Sequence, residues 1–510
     1  MEIELKLLVD AQFEEAVLRH PLLSSPDGVQ ARELDQQDTY FDTPELKLRK
    51  RHIGLRIRRS RGRWIQNIKG NGSAAGGLHS RQEWERSVAG PVPELDHLRA
   101  LIDDKAVRRD LGRAPALKKR LAPVFATKVR RTAWEVQLRN GGQVECALDR
   151  GTLECGDKTI PISELELELK SGDAGQLFDL ALALQNDIPV RVGQDSKADR
   201  GYALLQAQAE GAVKATRPAL SRSMTTEQAF VDIAASCLAH IQGNDQRVAE
   251  GIDVESLHQM RVGMRRLRSA VSMFNGLLHL PADLQAELDW LAAELGEARD
   301  WDVLSGSTLP ALARQAADTV HIDNVQQTAD DEAEAQRRRT AAAVASPRYT
   351  RLVLGLGRWV HAMGWRDDQD NTHAGKLAQP VVRFARDVLR RDQKRLRQRA
   401  RNLATATPEM RHRLRIAAKK TRYATEFFGA LFAPGTVRPY LQGLTHLQDE
   451  LGLLNDYAVA EQLLTGLSTA HPQLEGDVGF VKGFLAAHMH RNDKKVVRLW
   501  KQFAPLAPPC

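Results

Sequence analysis

The chain has 510 residues, 42% of them hydrophobic, and a formal net charge of +8, which allows two or three domains with cores of their own and excludes disorder as the main theme. Four cysteines, Cys146, Cys155, Cys237 and Cys510, stand far apart without a Cys-x-x-Cys pair, which argues against a zinc site or a disulfide framework and fits a reducing cytosol. The positive excess gives weight to anionic partners, namely nucleic acid, a phosphorylated metabolite or an anionic polymer.

The first segment, EIELKL, alternates Glu2, Glu4 and Lys6 with Ile3, Leu5 and Leu7, so a strand here presents two anions and a cation on one face and apolar residues on the other. This is a charged strand pattern rather than a signal peptide, and no apolar run approaches the roughly 20 residues of a membrane span. A soluble, cytoplasmic protein with no membrane partner is expected. Up to about Leu205 the period stays at two, through GLRIRR, WIQNIKG, RQEWERSV, KVRRTAWEVQL, GQVECALD and ISELELELK. That pattern predicts a largely antiparallel sheet, with a few helices from stretches such as AQFEEAVLRH and GQLFDLALALQND.

Carboxylates recur on alternate positions: Glu83 and Glu85, Glu145 and Asp149, then Glu164, Glu166 and Glu168 with Lys170. Cations alternate likewise at Arg56 and Arg58, with Lys69 on another strand. A single charged strand face is ordinarily the wet side of a sheet. Repetition over so many strands argues instead that the polar faces turn inward and the sheet curls into a barrel lined by both signs of charge. Crowded carboxylates take up protons unless a cation neutralises them, and an oxygen-seeking ion, Mg²⁺ or Mn²⁺, does so without His or Cys. Arginines and lysines in the same lumen then call for a densely charged anion, and a metal–triphosphate complex satisfies both sets. The glycine-rich GNGSAAGGLHS lacks the Gly-Lys-Ser/Thr of a phosphate loop and reads as a flexible hairpin connection.

EIELK, LRIRR, the lysine of IQNIKG, EWE, VECALD, ELELELK and SKADRGYALL, in this order, resemble the CYTH domain, the triphosphate tunnel metalloenzymes, over roughly residues 1–205. The resemblance implies an eight-stranded antiparallel tunnel that hydrolyses triphosphates with Mg²⁺ or Mn²⁺. It implies Glu2, Glu4 and Glu168 as metal ligands. Glu83, Glu85, Glu145, Asp149 and Glu166 are further metal or water-orienting carboxylates, and Lys6, Arg56, Arg58, Lys69, Arg131 and Lys197 grip phosphates. Glu2, Glu4, Lys6 and Glu168 form the catalytic core of this set.

After ATRPALSRSM, a connection placed at 206–224, the period becomes helical and stays so, which makes the fold class α+β with an all-α second domain over 225–505. This half repeats itself. His258, Arg261, Arg265 and Arg268 in HQMRVGMRRLR have counterparts in His412, Arg415, Lys419 and Arg422 of HRLRIAAKKTR, and ELGEARDWDV is echoed by ELGLLNDYAV. A duplicated helical bundle follows. At about 100° per residue the first basic set spans an arc of about 80°, and two such stripes can line a groove for an extended polyanion, assisted by RRDQKRLRQRAR. The second acidic segment departs from the first, with Asn455 for Arg299 and Ala458 for Asp302, and Arg299, Asp300 and Asp302 can also brace the first bundle. These motifs resemble the CHAD domain, which implies two four-helix bundles and binding of inorganic polyphosphate.

The leading expectation is hydrolysis of tripolyphosphate to pyrophosphate and phosphate, with polyphosphate held by the helices and association with polyphosphate granules. The alternatives are an adenylate cyclase or another nucleoside or thiamine triphosphatase in the same tunnel, and a non-catalytic protein that targets granules. Nucleic acid is disfavoured, because the basic runs lack interleaved aromatics.

Overall fold

The computed structural model describes residues 2–23, 31–111, 117–138, 141–206, 211–251, 253–316, 322–366 and 373–509. Cys510 lies outside them. They form two compact units, residues 1–211 with 347–364, and residues 212–346 with 365–510.

In the first unit the chain forms β1 (Glu2–Val9), β2 (Arg32–Asp42), β3 (Gly54–Ser60), β4 (Arg63–Ala75), β5 (Leu78–Val88), β6 (Ala122–Gln137), β7 (Gln143–Cys155) and β8 (Lys158–Ser171). They pair antiparallel in the order β5-β4-β3-β2-β6-β7-β8-β1, and β1 closes on β5, so the eight expected strands make a closed barrel. A short β9 (Val190–Val192) adds to β1 alone.

The alternation read in β1 decides which side is dry. Leu5, Leu7 and Val9 face outward with Val144, Cys146, Leu148, Leu165 and Leu167, and α1 (Gly175–Gln185) covers them with Leu177, Phe178, Ala181 and Leu184. Another apolar patch of Phe41, Leu55, Ile57 and Ile68 packs against Leu95, Ile102, Val107 and Leu111. The barrel is therefore apolar outside and polar inside, the reverse of a half-exposed sheet. Full burial of each leucine or isoleucine contributes about 1.5–3 kcal/mol, and this jacket offsets the cost of a charged interior.

The pattern missed β2, because Asp35–Asp38 is polar at four consecutive positions and shows no period of two. GNGSAAGGLHS does form a hairpin, but its connection is only Gly76–Gly77, at φ 65° and 80°. Positive φ at both central residues is the geometry of a tight two-residue turn, and β4 runs through the rest of the stretch with a register shift between Lys69 and Gly72. The unit is completed by α2 (Lys197–Gln206) and by a helix from far along the chain, Pro347–His361.

The second unit is helical. It contains α3 (Thr226–Gln242), α4 (Val254–Phe274), α5 (Ala282–Val303) and α6 (Asp323–Ala345). The helix Pro347–His361, which belongs to the first unit, is α7; then follow α8 (Val381–Arg399), α9 (Pro408–Phe428), α10 (Pro434–Ala470) and α11 (Glu475–Phe503). Consecutive helices of α3–α6 and of α8–α11 pack on one another, giving two four-helix sets that meet where α4 packs on α9 and α5 on α10. Duplication extends to the start signals: the Asp253 carboxylate caps α4 by accepting from the Ser256 amide, and the Thr407 hydroxyl caps α9 by accepting from the Met410 amide. Both caps therefore sit at the same offset before His258 and His412. No helix among the described residues is long and apolar enough to cross a membrane.

Candidate active site and cationic cluster

The barrel encloses a cavity of about 480 Å³ whose walls carry Glu2, Glu4, Lys6, Arg56, Arg58, Lys69, Glu83, Glu85, Arg131, Glu145, Glu166, Glu168 and Lys197. Strand register arranges these side chains in rows. Glu4 on β1 stands opposite Glu168 on β8, Glu168 opposite Glu145 on β7, and Glu145 opposite Glu135 on β6, so four carboxylates adjoin across four strands. The next row sets Lys6 opposite Glu166, and the one beyond sets Glu164 opposite Asp149 and Asp149 opposite Arg131.

The deeper rows are already neutralised. Lys6 Nζ donates to Glu164 at 2.8 Å and Glu166 at 3.1 Å. Lys197 Nζ lies 2.6 Å from Asp149, 2.5 Å from Glu164 and 2.9 Å from Glu166. Arg131 forks onto both oxygens of Asp149 at 2.7 Å and reaches Glu166 at 2.5 Å. Burial opposes ionisation of Asp149, Glu164 and Glu166, yet Lys197 acts on all three, joined by Arg131 at Asp149, by Lys6 and Arg200 at Glu164 and by Lys6 and Arg131 at Glu166, and together they hold each below the ordinary carboxylate range. Asp149, Glu164 and Glu166 have oxygens close enough to share an ion, but their lone pairs are taken by ammonium and guanidinium groups. Asp149, buried behind the wall, anchors cations in this arrangement.

Nearer β4 and β5 the balance differs. Lys69 reaches Glu2 at 2.7 Å and Glu83 at 3.3 Å, and Arg56 adds a longer contact to Glu83 at 3.5 Å, so Glu2 has Lys69 alone as its cation among the described residues. Burial, and next the hydrogen bond to Glu83, push Glu2 up to about 8. Burial works to raise Glu83 too, but the Glu2 proton, Lys69 and Arg56 outweigh it and hold Glu83 at about 2. The pair shares one proton. Glu4 and Glu85 make no ion pair among the described residues, Glu145 meets Arg32 at 3.2 Å, and Glu168 meets the half-exposed Lys170 at 2.7 Å. An all-oxygen set short of positive charge suits a hard divalent cation, and Glu2, Glu4 and Glu168 fit one in their donor chemistry.

Several participants escaped the sequence reading. Asp38, buried on the unrecognised β2, holds Arg58 at 2.8 and 2.9 Å and Arg56 at 3.1 Å, and the two guanidiniums overcome its burial to keep its pKa low. Glu164, which the alternation had shown without a role, accepts from Lys6, Lys197 and Arg200. Asp199 on α2 pairs with Arg49 at 2.5 Å and Arg81 at 3.7 Å, and all three line the cavity. Arg81 shares the strand parity of Glu83 and Glu85, so the alternation already contained it.

Lys197→Met should destabilise the first unit by about 3–5 kcal/mol, since removing one partner strands buried opposite charges; thermal melting checks this. Asp38, Asp149, Glu164 and Glu166 have depressed pKa values, so their stabilisation is present above the usual carboxylate range and lost as pH falls through the folded values. Glu2 is raised, so its contribution is full below 4.5 and fades as pH climbs to about 8. Metal-free protein should therefore be most stable at mildly acidic pH in denaturant titrations, and Glu2→Gln should remove the decline on the alkaline side.

In the second unit the two basic stripes face one another where α4 meets α9. Burial and then Arg299 lower His258 to about 4. Burial, followed by Arg265, Arg415 and Arg261, lowers Lys419 to about 6. Arg265 and Arg415 are depressed by burial and by their cationic neighbours, Arg422 among those acting on Arg265. The Nε atoms of Arg265 and Arg415 are buried without a hydrogen-bond partner among the described residues. Arg261 is braced by the Gly296 carbonyl at 2.7 Å and Asp300 at 3.0 Å, and Asp302 binds Arg337 at 2.6 Å instead. Two residues stand apart: His412 is exposed, and the exposed Arg268 pairs with Asp289 at 2.7 Å. A half-buried gathering of mainly positive charges with unmet donors is poised for an anion.

Comparison with known proteins finds two families along the chain. A family model described as CYTH domain matches residues 1–202, and one described as CHAD domain matches residues 232–465. An inorganic triphosphatase of Haemophilus influenzae is 33% identical over 204 residues, which cover 40% of this chain and 54% of that protein. The match thus spans about half the length of that curated relative. A crystal structure of the CHAD domain from the plant Ricinus communis aligns with a TM-score of 0.53 at 37% identity, covering 59% of this chain and 99% of that one.

Proposed function

Because the chain joins a CYTH domain to a CHAD domain, we propose that its tunnel hydrolyses inorganic triphosphate, tripolyphosphate to pyrophosphate and phosphate, with Mg²⁺ or Mn²⁺, and that its helical cationic cluster binds inorganic polyphosphate. The observation that carries the first part is the closed lumen in which the cation-poor row Glu4–Glu168–Glu145 adjoins rows of anchored lysines and arginines. The relative from Haemophilus influenzae supports the same chemistry.

Glu2, Glu4 and Glu168 would hold the divalent ion, with Glu83, Glu85 and Glu145 close by. Bound there, it would screen phosphate charge and make water more acidic. The chain's own cations do the rest. Asp38 fixes Arg56 and Arg58, and the Asp149, Glu164 and Glu166 group fixes Lys6, Lys197 and Arg131, so donors are oriented before substrate arrives. Held between these donors and Lys69, the triphosphate presents its terminal phosphorus to water. A wall carboxylate accepts the proton as the water oxygen bonds to phosphorus, the P–O–P bridge breaks, and pyrophosphate leaves.

Phosphate release should be measured from tripolyphosphate, ATP, thiamine triphosphate and long-chain polyphosphate, with Mg²⁺, Mn²⁺ or chelator. Metal-dependent release, fastest from tripolyphosphate, is expected. No metal-dependent release from any of them would defeat the proposal, and cyclic AMP from ATP would replace it with a cyclase.

A further inference from the structure

Helix α7 lies inside the stretch matched by the CHAD family, yet it belongs to the compact unit built around the barrel. Its seat there is specific. Leu354 is fully buried in the cluster that contains Leu5, Leu7, Phe178 and Val190. A Cβ placed on Gly357 would overlap the Phe178 ring, and one on Gly76 would come within 3.0 Å of the Gly357 Cα. His361 stacks on Phe178 with ring centroids 5.7 Å apart and planes 8° apart. Polar fasteners flank these contacts: Gln185 donates to the Pro347 carbonyl at 2.7 Å, Arg358 to Asp179 at 2.5 Å and Arg351 to Asn186 at 3.2 Å. The helix thus touches α1, the β4–β5 turn and β9.

Those last two elements bracket a single residue of the tunnel. The Lys6 amide donates to the Gly77 carbonyl at 3.3 Å, and the Lys6 carbonyl accepts from the Gly193 amide, just past β9, at 2.9 Å. Behind the turn, a Cβ on Gly77 would collide with Val192 of β9 and meet Leu5 at 3.0 Å. Turn, β9 and β1 are therefore packed without slack.

We propose that α7 is a positioning element of the tunnel: seated through Gly357, it clamps the Gly76–Gly77 turn and β9 against the backbone of Lys6 and so fixes the placement of Glu2, Glu4 and Lys6 on β1. As an account of rate, this rests on the hydrolase reading; as an account of strand order, it stands apart from it. Both ends of α7 continue into the second unit, so the helical half supplies a part that the catalytic strand depends on. Positioning residues of this kind, Gly357 and Phe178, touch no substrate.

The test uses the full chain with Gly357→Ala, which crowds Phe178, the double variant Gly357→Ala with Phe178→Leu, which restores room, and His361→Ala, which loosens the seat without added volume. Amide hydrogen exchange at β1 and β9 and the kcat and KM for tripolyphosphate are followed together. Gly357→Ala should speed exchange in both strands and lower kcat by about tenfold or more, the scale set by small misplacements of reacting groups. KM should change less, the double variant should recover both readings, and His361→Ala should show a milder form. Unchanged exchange at β1 and β9 in Gly357→Ala and His361→Ala, or no recovery in the double variant, would overturn the proposal. Should wild type prove inactive on every triphosphate, the hydrolase reading fails while the exchange measurements still decide this one.

Discussion

Glu4→Gln should abolish metal-dependent phosphate release while leaving the fold intact. Glu4 stands in a row where four carboxylates adjoin across strands, and among the described residues no lysine or arginine pairs with it. The substitution keeps shape and hydrogen-bonding capacity but removes the charge that would hold a divalent ion beside the phosphates. Loss of a single group acting on transition-state charge costs about 10²–10³-fold in kcat, and a metal ligand belongs at or beyond the upper end. Thermal melting should show no loss of stability, since the change relieves repulsion with Glu2. Steady-state phosphate release with Mn²⁺ checks the rate, and activity near that of wild type would remove Glu4 from the mechanism.

The second large effect has opposite signs in two measurements. Lys419→Met should raise the stability of the helical unit and weaken its grip on polyphosphate. Burial and the neighbours Arg265, Arg415 and Arg261 pull the Lys419 pKa down to about 6, so its charged form destabilises the folded state: the penalty is full below 6 and fades as pH rises toward the unfolded value. Methionine fills similar space without that penalty, and each kcal/mol gained is about 2–4 °C in Tm for a unit of this size. On the proposed function, polyphosphate would restore the ammonium by pairing with it, so its loss should weaken binding about tenfold or more, as when one partner of a desolvated charge pair is removed. Calorimetric titration with long-chain polyphosphate and a thermal melt at pH 6 check both signs. If Lys419 were a solvated helix residue, neither quantity would move.

What the sequence made legible follows from periodicity. Strands that alternate, such as Glu2–Val9 and Lys158–Ser171, announced both the barrel and its charged lining, because one residue type per face is what a closed polar lumen with an apolar jacket requires. Arg32–Asp42 did not alternate, so β2 and the buried Asp38 that orients Arg56 and Arg58 went unseen. The roles within the acidic set were equally hidden. Glu166 and Glu168 look alike along the chain, but among the described residues the first meets Lys6, Lys197 and Arg131 and the second only Lys170, a distinction made by residues distant in sequence. In the helical half the repeated offsets found the stripes, whereas the rotation of each helix, set by packing, turns Arg265 and Arg415 inward and leaves His412 and Arg268 outside. The return of α7 to the first unit had no local signal at all, since its apolar positions match those of any buried helix.

The measurement that bears most directly on the central claim is anomalous diffraction from crystals grown with Mn²⁺ and a non-hydrolysable triphosphate analogue. A manganese peak about 2.0–2.2 Å from oxygens of Glu2, Glu4 and Glu168, with analogue density running to Arg56, Arg58 and Lys197, is the predicted result. Manganese confined to the outer surface, with the barrel cavity holding neither ion nor analogue, would contradict it.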